Sequence, residues 1–493
     1  MTPRLPRLIS LLVLPLMLVA GLVGQQPATV SFVEEVRIET VEALLGGRSF
    51  GEAGAYEKLT GSVVFAFDPA HPANAEVVDL GLAQRREDGL VEAVADLMIL
   101  RPRKPPKGGG TALIEVSNRG GKAALRYFCR GRGGADPVDE ADFGDAWLLR
   151  QGLTVVWLGW QADVPDRPGL LRLRVPVARA ADGGPLRGLV RADWTVDEAA
   201  ASLPLAHRDH QAYPALEEGF AALTVRAGRL APRTAIRREH WRFARVGEDG
   251  AEAPDRTWIT LEGGFRPGGI YELVYEAEDP RVVGLGLAAM RDFAAWLKRD
   301  PDCPFPVERT VAVGISQTGR FLRHFLWQGF NAAADGLPAF DGLMVMTAGA
   351  GRGSFNHRFA QPSRDAHRYS AFFYPTDLFP FSSRVQRDEA LAAADGLLAR
   401  AEADGCLPKL FQVNSGYEYW GRAAALVHTA VAGGVDVEPH PAERLYHLRP
   451  TQHFPVGWPR ALPTDARPRP GSPIANLAGH RAPPAALPRW PDG

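Results

Sequence analysis

Three residue types that can together open an ester stand in a fixed order across the second half of the sequence. In "VAVGISQTGRFLRHF" (311–325) an alternating apolar run breaks at Gly314, Ser316 follows two residues later, and the apolar spacing then turns helical. A serine hydroxyl is a poor nucleophile at neutral pH. It needs a histidine to take its proton and a carboxylate to orient that imidazole. Glu418 in "KLFQVNSGYEYWGR" falls just past one apolar strand, and His453 in "ERLYHLRPTQHF" just past the last. Serine, acid, histidine is the chain order of a nucleophile held on a sharp turn at the carboxyl end of a parallel sheet. His440 precedes the last strand and His447 lies within it, so His453 is the expected base. Among the acids, Asp341 begins its strand and Asp436 reads as a turn, while Asp377 in "YPTDLF" stays open as an alternative to Glu418.

The serine motif is of moderate specificity. It reads G-I-S-Q-T-G, with Thr318 where G-x-S-x-G has its second glycine, and serine is also a favoured residue for simply capping a helix. Donors for a developing oxyanion would complete the site. One is the N–H of Gln317, immediately after the serine. The other is expected from the loop after "TALIEVSN", where Asn118, Arg119 and Gly120 hold a strand end. Arg119 has two other readings, binding a substrate carboxylate or pairing with Glu115. Arg320 and Arg323 begin the helix after Ser316 and read as members of structural pairs, with contact to an acidic substrate the other reading of Arg320. Trp157, Trp160 and Trp420 fall near strand ends, where they either line an apolar or sugar-binding cleft or pack the core.

No metal or cofactor is implied. "HRDH" (207–210) lacks a companion cysteine or carboxylate cluster and is expected on the surface of an insertion. "GLGLAA" (284–289) imitates a dinucleotide fingerprint, but "EDPRVV" separates it from the preceding strand-like "YELVYEA", and the next strand ends at the serine instead of an acidic residue. His428, on the apolar run "AAALVHTAV", reads as a core histidine.

The elements that would position these residues follow from pattern. With 493 residues, a formal charge of -1 and acids and bases interspersed, the chain has ample material for a core and no basic footprint for nucleic acid. A small-molecule partner is expected. Arg4 and Arg7 precede the apolar run "LISLLVLPLMLVAGLVG", so residues 1–24 read as an export signal, giving a secreted or periplasmic protein with no membrane attachment once it is cleaved. An uncleaved anchor is the other reading of that run. Cys129, Cys303 and Cys406 lack CxxC spacing and form no expected disulfide framework.

From about Ser31 to Leu100 the pattern is strand-rich. Apolar strands such as "TALIEVSN", "LTVVWLGW", "RTVAVGIS", "FDGLMVMTAGA", "KLFQVNSG" and "ERLYHLRP" then alternate with helix-capable segments. That alternation predicts an α/β fold: a mainly parallel sheet with helices on both faces. Residues 165–270, rich in Arg, Pro and Gly, read as a long insertion, expected over the carboxyl ends of the strands. The tail at 460–493 is proline-rich and without periodicity.

Longer strings make the pattern more specific. "SFGEAGAYEKLTGSVVFAFDPAHPAN", "YELVYEAEDPRVVGLGLAAMRDF", "GISQTGRFLRHFL", "EYWGRAAALVHT" and "TQHF" resemble the secreted proteins grouped as the alpha/beta hydrolase domain family, over about Val36 to Pro459. The resemblance implies an α/β-hydrolase fold over residues 31–459 with an N-terminal β-rich extension. It also implies a serine hydrolase with Ser316, Glu418 and His453 as its triad. The expected reaction is cleavage of a small-molecule carboxylic ester through an acyl-enzyme. A specialisation for carbohydrate-linked esters, uronoyl or acyl, and a non-catalytic binding protein on the same fold are the alternatives. Oligomeric state is not legible in the sequence.

Overall fold

The computed structural model describes residues 30–106, 109–228, 230–366, 376–449 and 451–453. The expected export signal and the tail at 460–493 lie outside the described residues. Ten strands among them build one central sheet: β1 Val33–Ala43, β2 Tyr56–Phe67, β3 Val91–Pro102, β4 Thr111–Val116, β5 Thr154–Leu158, β6 Leu173–Arg174, β7 Arg309–Ile315, β8 Gly342–Met346, β9 Lys409–Ser415 and β10 Glu443–Leu448. Their order is β1-β2-β3-β5-β4-β7-β8-β9-β10, with β6 beside β3.

The sheet has two halves of different character. β1, β2 and β3 pair antiparallel, and β3 pairs antiparallel with β5. From β5 onward every pair is parallel. Composition explains the contrast. "TVVWL" of β5 is buried at all five positions, as a strand covered on both faces must be, whereas β1 carries "EEVRIETVE" and keeps a wet face. Helices α1 Ala124–Cys129, α2 Glu140–Phe143 and α3 Trp147–Arg150 gather one apolar layer with Met98, Val155 and Val313. On the opposite face α4 Leu285–Arg299 and α5 Gln317–Trp327 join the larger cluster. Two short helices, α6 Ala399–Ala403 and α7 Gly416–Gly421, complete the layer order.

Helix α4 is buried from Leu285 to Leu297, so it is apolar nearly all round. Its opening "GLG" is a packing device: a Cβ on Gly286 would come within 2.3 Å of the Trp160 carbonyl oxygen. The insertion is a β-structure with its own core. A four-stranded sheet (Arg187–Thr195, Ala221–Arg226, Thr234–Ile236, Ile270–Glu278) and a three-stranded one (Ala200–Pro204, Trp241–Arg242, Trp258–Phe265) enclose Trp194, Trp241, Phe265, Tyr271 and Tyr275. It is shifted from the expected bounds. Leu173 and Arg174 pair with β3 in the central sheet, and the insertion's strands continue to Glu278.

Candidate active site

The turn from β7 into α5 carries Ser316 at its apex. Its backbone, φ 60° and ψ −113°, is a conformation that non-glycine residues rarely adopt, at a cost of about 1–3 kcal/mol held by the surrounding structure. What holds it is visible. The Ser316 N–H donates to the Met346 carbonyl of β8 at 2.8 Å. Gly314 admits the returning helix, since a Cβ there would sit 2.2 Å from the Thr318 carbonyl oxygen. Thr318, the departure from G-x-S-x-G, is itself part of the turn: its Oγ1 accepts from the Ile315 N–H at 2.8 Å and donates to the Ile315 carbonyl at 3.1 Å.

The acid is positioned by a capping box. β9 ends at Ser415, whose hydroxyl caps α7, and Glu418 at the third helical position reaches back to the Ser415 N–H. Glu418 is fully buried. One of its oxygens takes the Ser415 hydroxyl and N–H, and the other accepts from His453 Nδ1. Burial by itself would raise this carboxyl. The hydrogen bond and charge of His453, with the two Ser415 donors, outweigh burial and hold Glu418 below the ordinary glutamate value.

His453 follows β10, and its other nitrogen, Nε2, stands 2.9 Å from Ser316 Oγ. With Nδ1–H committed to the carboxylate, Nε2 is left as the acceptor facing the serine. Tyr417 packs edge-on to the imidazole at 5.6 Å, and the Tyr417 N–H donates to the Thr451 carbonyl at 3.3 Å, which ties the histidine's loop to α7. The structure thus brings Ser316, Glu418 and His453 together from the carboxyl ends of β7, β9 and β10.

It keeps the competing residues apart. Asp377 pairs with Arg422 at 3.2 Å, Asp341 with Lys298 at 3.1 Å, and Asp436 lies 3.4 Å from His428. His447 stacks on Tyr419, His440 contacts Glu402, and His428 accepts or donates at the Tyr419 hydroxyl with its side chain about a third exposed, so it is no core histidine.

The expected donors are placed less uniformly. Gln317 is the first residue of α5, where a backbone N–H has no intrahelical acceptor, and it adjoins the serine. Arg119 differs from expectation. Asn118–Gly121 form a tight turn, closed by the Gly121 N–H on the Asn118 carbonyl at 3.0 Å, with Arg119 at φ 53° and Gly120 at φ 77°. That geometry sends the Arg119 N–H to Gln161 Oε1 at 3.3 Å, and its guanidinium donates to Asn118 and to the Ser363 carbonyl. Glu115 accepts instead from the Ala123 and Ala124 N–H groups and the Trp157 indole. Gln317 Nε2 donates to the neighbouring Pro362 carbonyl, so Arg119 and Gln317 grip the same short segment from two strand ends.

Pro362 and Ser363 are what sequence reasoning missed. Ser363 bonds the buried Asp163 and Gln161, while the same stretch meets the insertion through Tyr213 on the Ala360 carbonyl and Gln361 on the Arg191 carbonyl. It is the physical link between the insertion and the serine turn, and its irregular sequence carries no periodic signal. In the "HRDH" segment Arg208 and Asp209 are exposed, as expected of an insertion surface, and His210 turns inward. The His210 side chain is only 6% exposed, because the Gln211 N–H binds the Asp163 carbonyl and seats the segment on the sheet's loops.

Two of the proposed substrate contacts move inward. Trp160, read as either a cleft wall or a core residue, takes the core place: it is 1% exposed, donates to the Ser117 carbonyl and packs against Phe321 and Phe355. Arg320 is 3% exposed and lies along Gly351, where a Cβ would be 2.9 Å from its Cδ. Trp157 is fully buried. Trp420 is the exception at 81% exposed, on α7 two residues past Glu418.

Among solved structures the chain is similar to a glucuronoyl esterase from Solibacter usitatus, with 12% identity and a TM-score of 0.30 over 86% of this chain and 82% of that one. It is similar also to acetyl xylan esterase 1 from a Thermoanaerobacterium species, with 10% identity and a TM-score of 0.30 over 86% and 84%. No curated protein matches it. The sequence model of the family described as alpha/beta hydrolase domain matches residues 172–484, a stretch that takes in the serine turn, the capping-box glutamate and the histidine after the last strand, and the chain belongs to that family.

Proposed function

We propose that the protein is a serine hydrolase that cleaves a small-molecule carboxylic ester through an acyl-enzyme. The observation that carries this reading is the relay of contacts from Ser316 Oγ to His453 Nε2 at 2.9 Å and from His453 Nδ1 to the buried Glu418. In the proposed mechanism His453 Nε2 takes the serine proton as Oγ attacks the ester carbonyl. Glu418 keeps the imidazole in the right tautomer and stabilises it once it is charged. The Gln317 N–H meets the negative oxygen of the tetrahedral intermediate. His453 then protonates the departing alcohol, and a water, deprotonated by the same nitrogen, releases the acid.

The insertion, joined to the serine turn through Pro362 and Ser363, is the proposed determinant of substrate choice. Export rests on the leader-like residues 1–24, and no helix among the described residues is long and apolar enough to cross a membrane. The carbohydrate-ester alternative loses one of its motivations, since Trp160 packs in the core. The reading is tested with a fluorophosphonate probe and intact mass on wild type, Ser316→Ala and His453→Ala. Stoichiometric labelling of wild type alone is expected. A folded wild type that takes no label would overturn the triad and favour a binding protein on this fold.

A further inference from the structure

A developing oxyanion is held by more than one donor, and the Gln317 N–H at the start of α5 is one. The turn after β4, beside it, keeps its backbone for itself. The Arg119 N–H goes to Gln161 Oε1 at 3.3 Å and the Gly121 N–H to the Asn118 carbonyl at 3.0 Å. Gly120 is pressed on Leu171 and Val164, both within 2.9 Å of where its Cβ would stand. A side chain is left. Asn118 Oδ1 accepts from Arg119 Nη1 at 2.7 Å, and because a guanidinium only donates, that contact fixes which end of the amide is oxygen. The Nδ2 end carries two N–H donors and bonds nothing among the described residues, on a side chain that is half-buried.

Two observations put this amide beside the nucleophile. β4 and β7 are parallel neighbours with Val313 opposite Glu115, and the same register carried past both strand ends sets Asn118 level with Ser316, one strand spacing or about 5 Å across. From the other direction, Arg119 Nη2 reaches the Ser363 carbonyl at 3.1 Å and Gln317 Nε2 the adjacent Pro362 carbonyl, so the guanidinium that holds Asn118 and the residue that follows Ser316 meet on neighbouring carbonyls. We infer that the Asn118 side-chain amide is a catalytic group, the second oxyanion donor, with Arg119 as the residue that positions it. The inference rests on the serine-hydrolase reading above and deepens it. As Ser316 Oγ bonds to the ester carbon and its proton passes to His453, the π pair of the carbonyl moves onto its oxygen, and that charge is met by Asn118 Nδ2–H and the Gln317 N–H. The guanidinium on Oδ1 polarises the planar amide and strengthens Nδ2–H as a donor.

Two substitutions separate a donor from a structural tie. Asn118→Ala removes both, whereas Asn118→Asp removes the donor and keeps an oxygen for Arg119. The readout is the second-order rate constant of fluorophosphonate labelling on the full chain, followed by intact mass, because attack on phosphorus also builds negative charge on an oxygen. Both variants, shown to be folded by far-UV circular dichroism, should label about 10²-fold more slowly than wild type, or slower still. A purely structural Asn118 gives a different result for the aspartate, whose bond to Arg119 is charge-assisted and stronger. Asn118→Asp labelling within about threefold of wild type therefore overturns the inference. So does Asn118→Ala labelling at the wild-type rate, which returns the second donor to a backbone N–H. A wild type that takes no label ends the hydrolase reading and this inference with it, an outcome distinct from a wild type that labels and variants that keep pace with it.

Discussion

Glu418 and Glu115 are two buried carboxylates near the carboxyl ends of strands in the same parallel sheet, and their surroundings drive them in opposite directions. Glu115, on β4, faces its register partner Trp157 on β5 and accepts from the indole N–H and from the Ala123 and Ala124 N–H groups at 2.7–3.0 Å. Those donors, with Lys122 nearby, do not offset the cost of burial, and its carboxyl is pushed up to about 7. Glu418 is as deeply buried, but it faces an imidazole that can carry charge, and it is held below the ordinary value. Dipoles and a cation whose ammonium is bonded elsewhere leave a buried carboxylate short of compensation; a titratable partner in direct contact supplies it. That difference separates the carboxylate placed to work with a base from one that anchors the start of a helix.

The comparison predicts distinct responses to the same isosteric change. Glu418→Gln should lower ester kcat by about 10³–10⁴-fold, because the amide favours the wrong imidazole tautomer. A loss below tenfold would end the proposed role for Glu418. Glu115→Gln should leave kcat within about threefold but cost about 1–3 kcal/mol in denaturant unfolding, since its amide nitrogen would oppose a donor. A larger kinetic than stability effect would erase the distinction.

The pH dependence of stability sharpens it further. A carboxyl raised on folding adds stability that is fully present below its unfolded value and is lost as pH rises through its folded value. Glu115 therefore makes stability decline between about 4.5 and about 7. Glu418, lowered on folding, contributes in the opposite sense: its stability is present above the unfolded value and is lost as pH falls through the folded one. Thermal melts across pH 2–8 should show Glu115→Gln flattening the decline between about 4.5 and about 7 and Glu418→Gln flattening the loss below about 4.5. Identical profiles for the two variants would contradict the opposed directions. The smallest effect is expected for Trp157→Phe, which removes one donor to Glu115. It should cost about 1 kcal/mol and leave kcat unchanged, read by unfolding and steady-state rates.

Much of the site was legible because its parts obey local rules. A strand that breaks at a glycine before a serine and resumes as a helix announces a sharp turn, and Ser415 with Glu418 three residues on is a capping box visible in "SGYE". The same locality fell short elsewhere. Trp160 follows a strand end and reads equally as a cleft wall or a core residue, and only Gly286, on a helix more than a hundred residues away and packed on its carbonyl, settles it in the core. Arg119 sits at the right strand end, but a two-residue positive-φ turn, which depends on Gly120 packing against Leu171 and Val164, rotates its N–H to Gln161. Pro362 and Ser363 carried no local signal, since both offer backbone carbonyls, which every residue has, and the Ser363 hydroxyl meets partners, Asp163 and Gln161, that are remote in sequence.

The sequence by itself determined the alternation of apolar strands and helices, hence a mainly parallel sheet, and the serine and the histidine with candidate acids between them in chain order. Those follow from periodicity and from residues whose chemistry is their own. Tertiary structure alone decided that His453, 137 residues from Ser316, comes to 2.9 Å of it, and that Glu418 rather than Asp377 meets the other imidazole nitrogen. It decided too which buried carboxyl is raised and which lowered. Distance, burial and dielectric belong to the space between elements, and no local pattern encodes them.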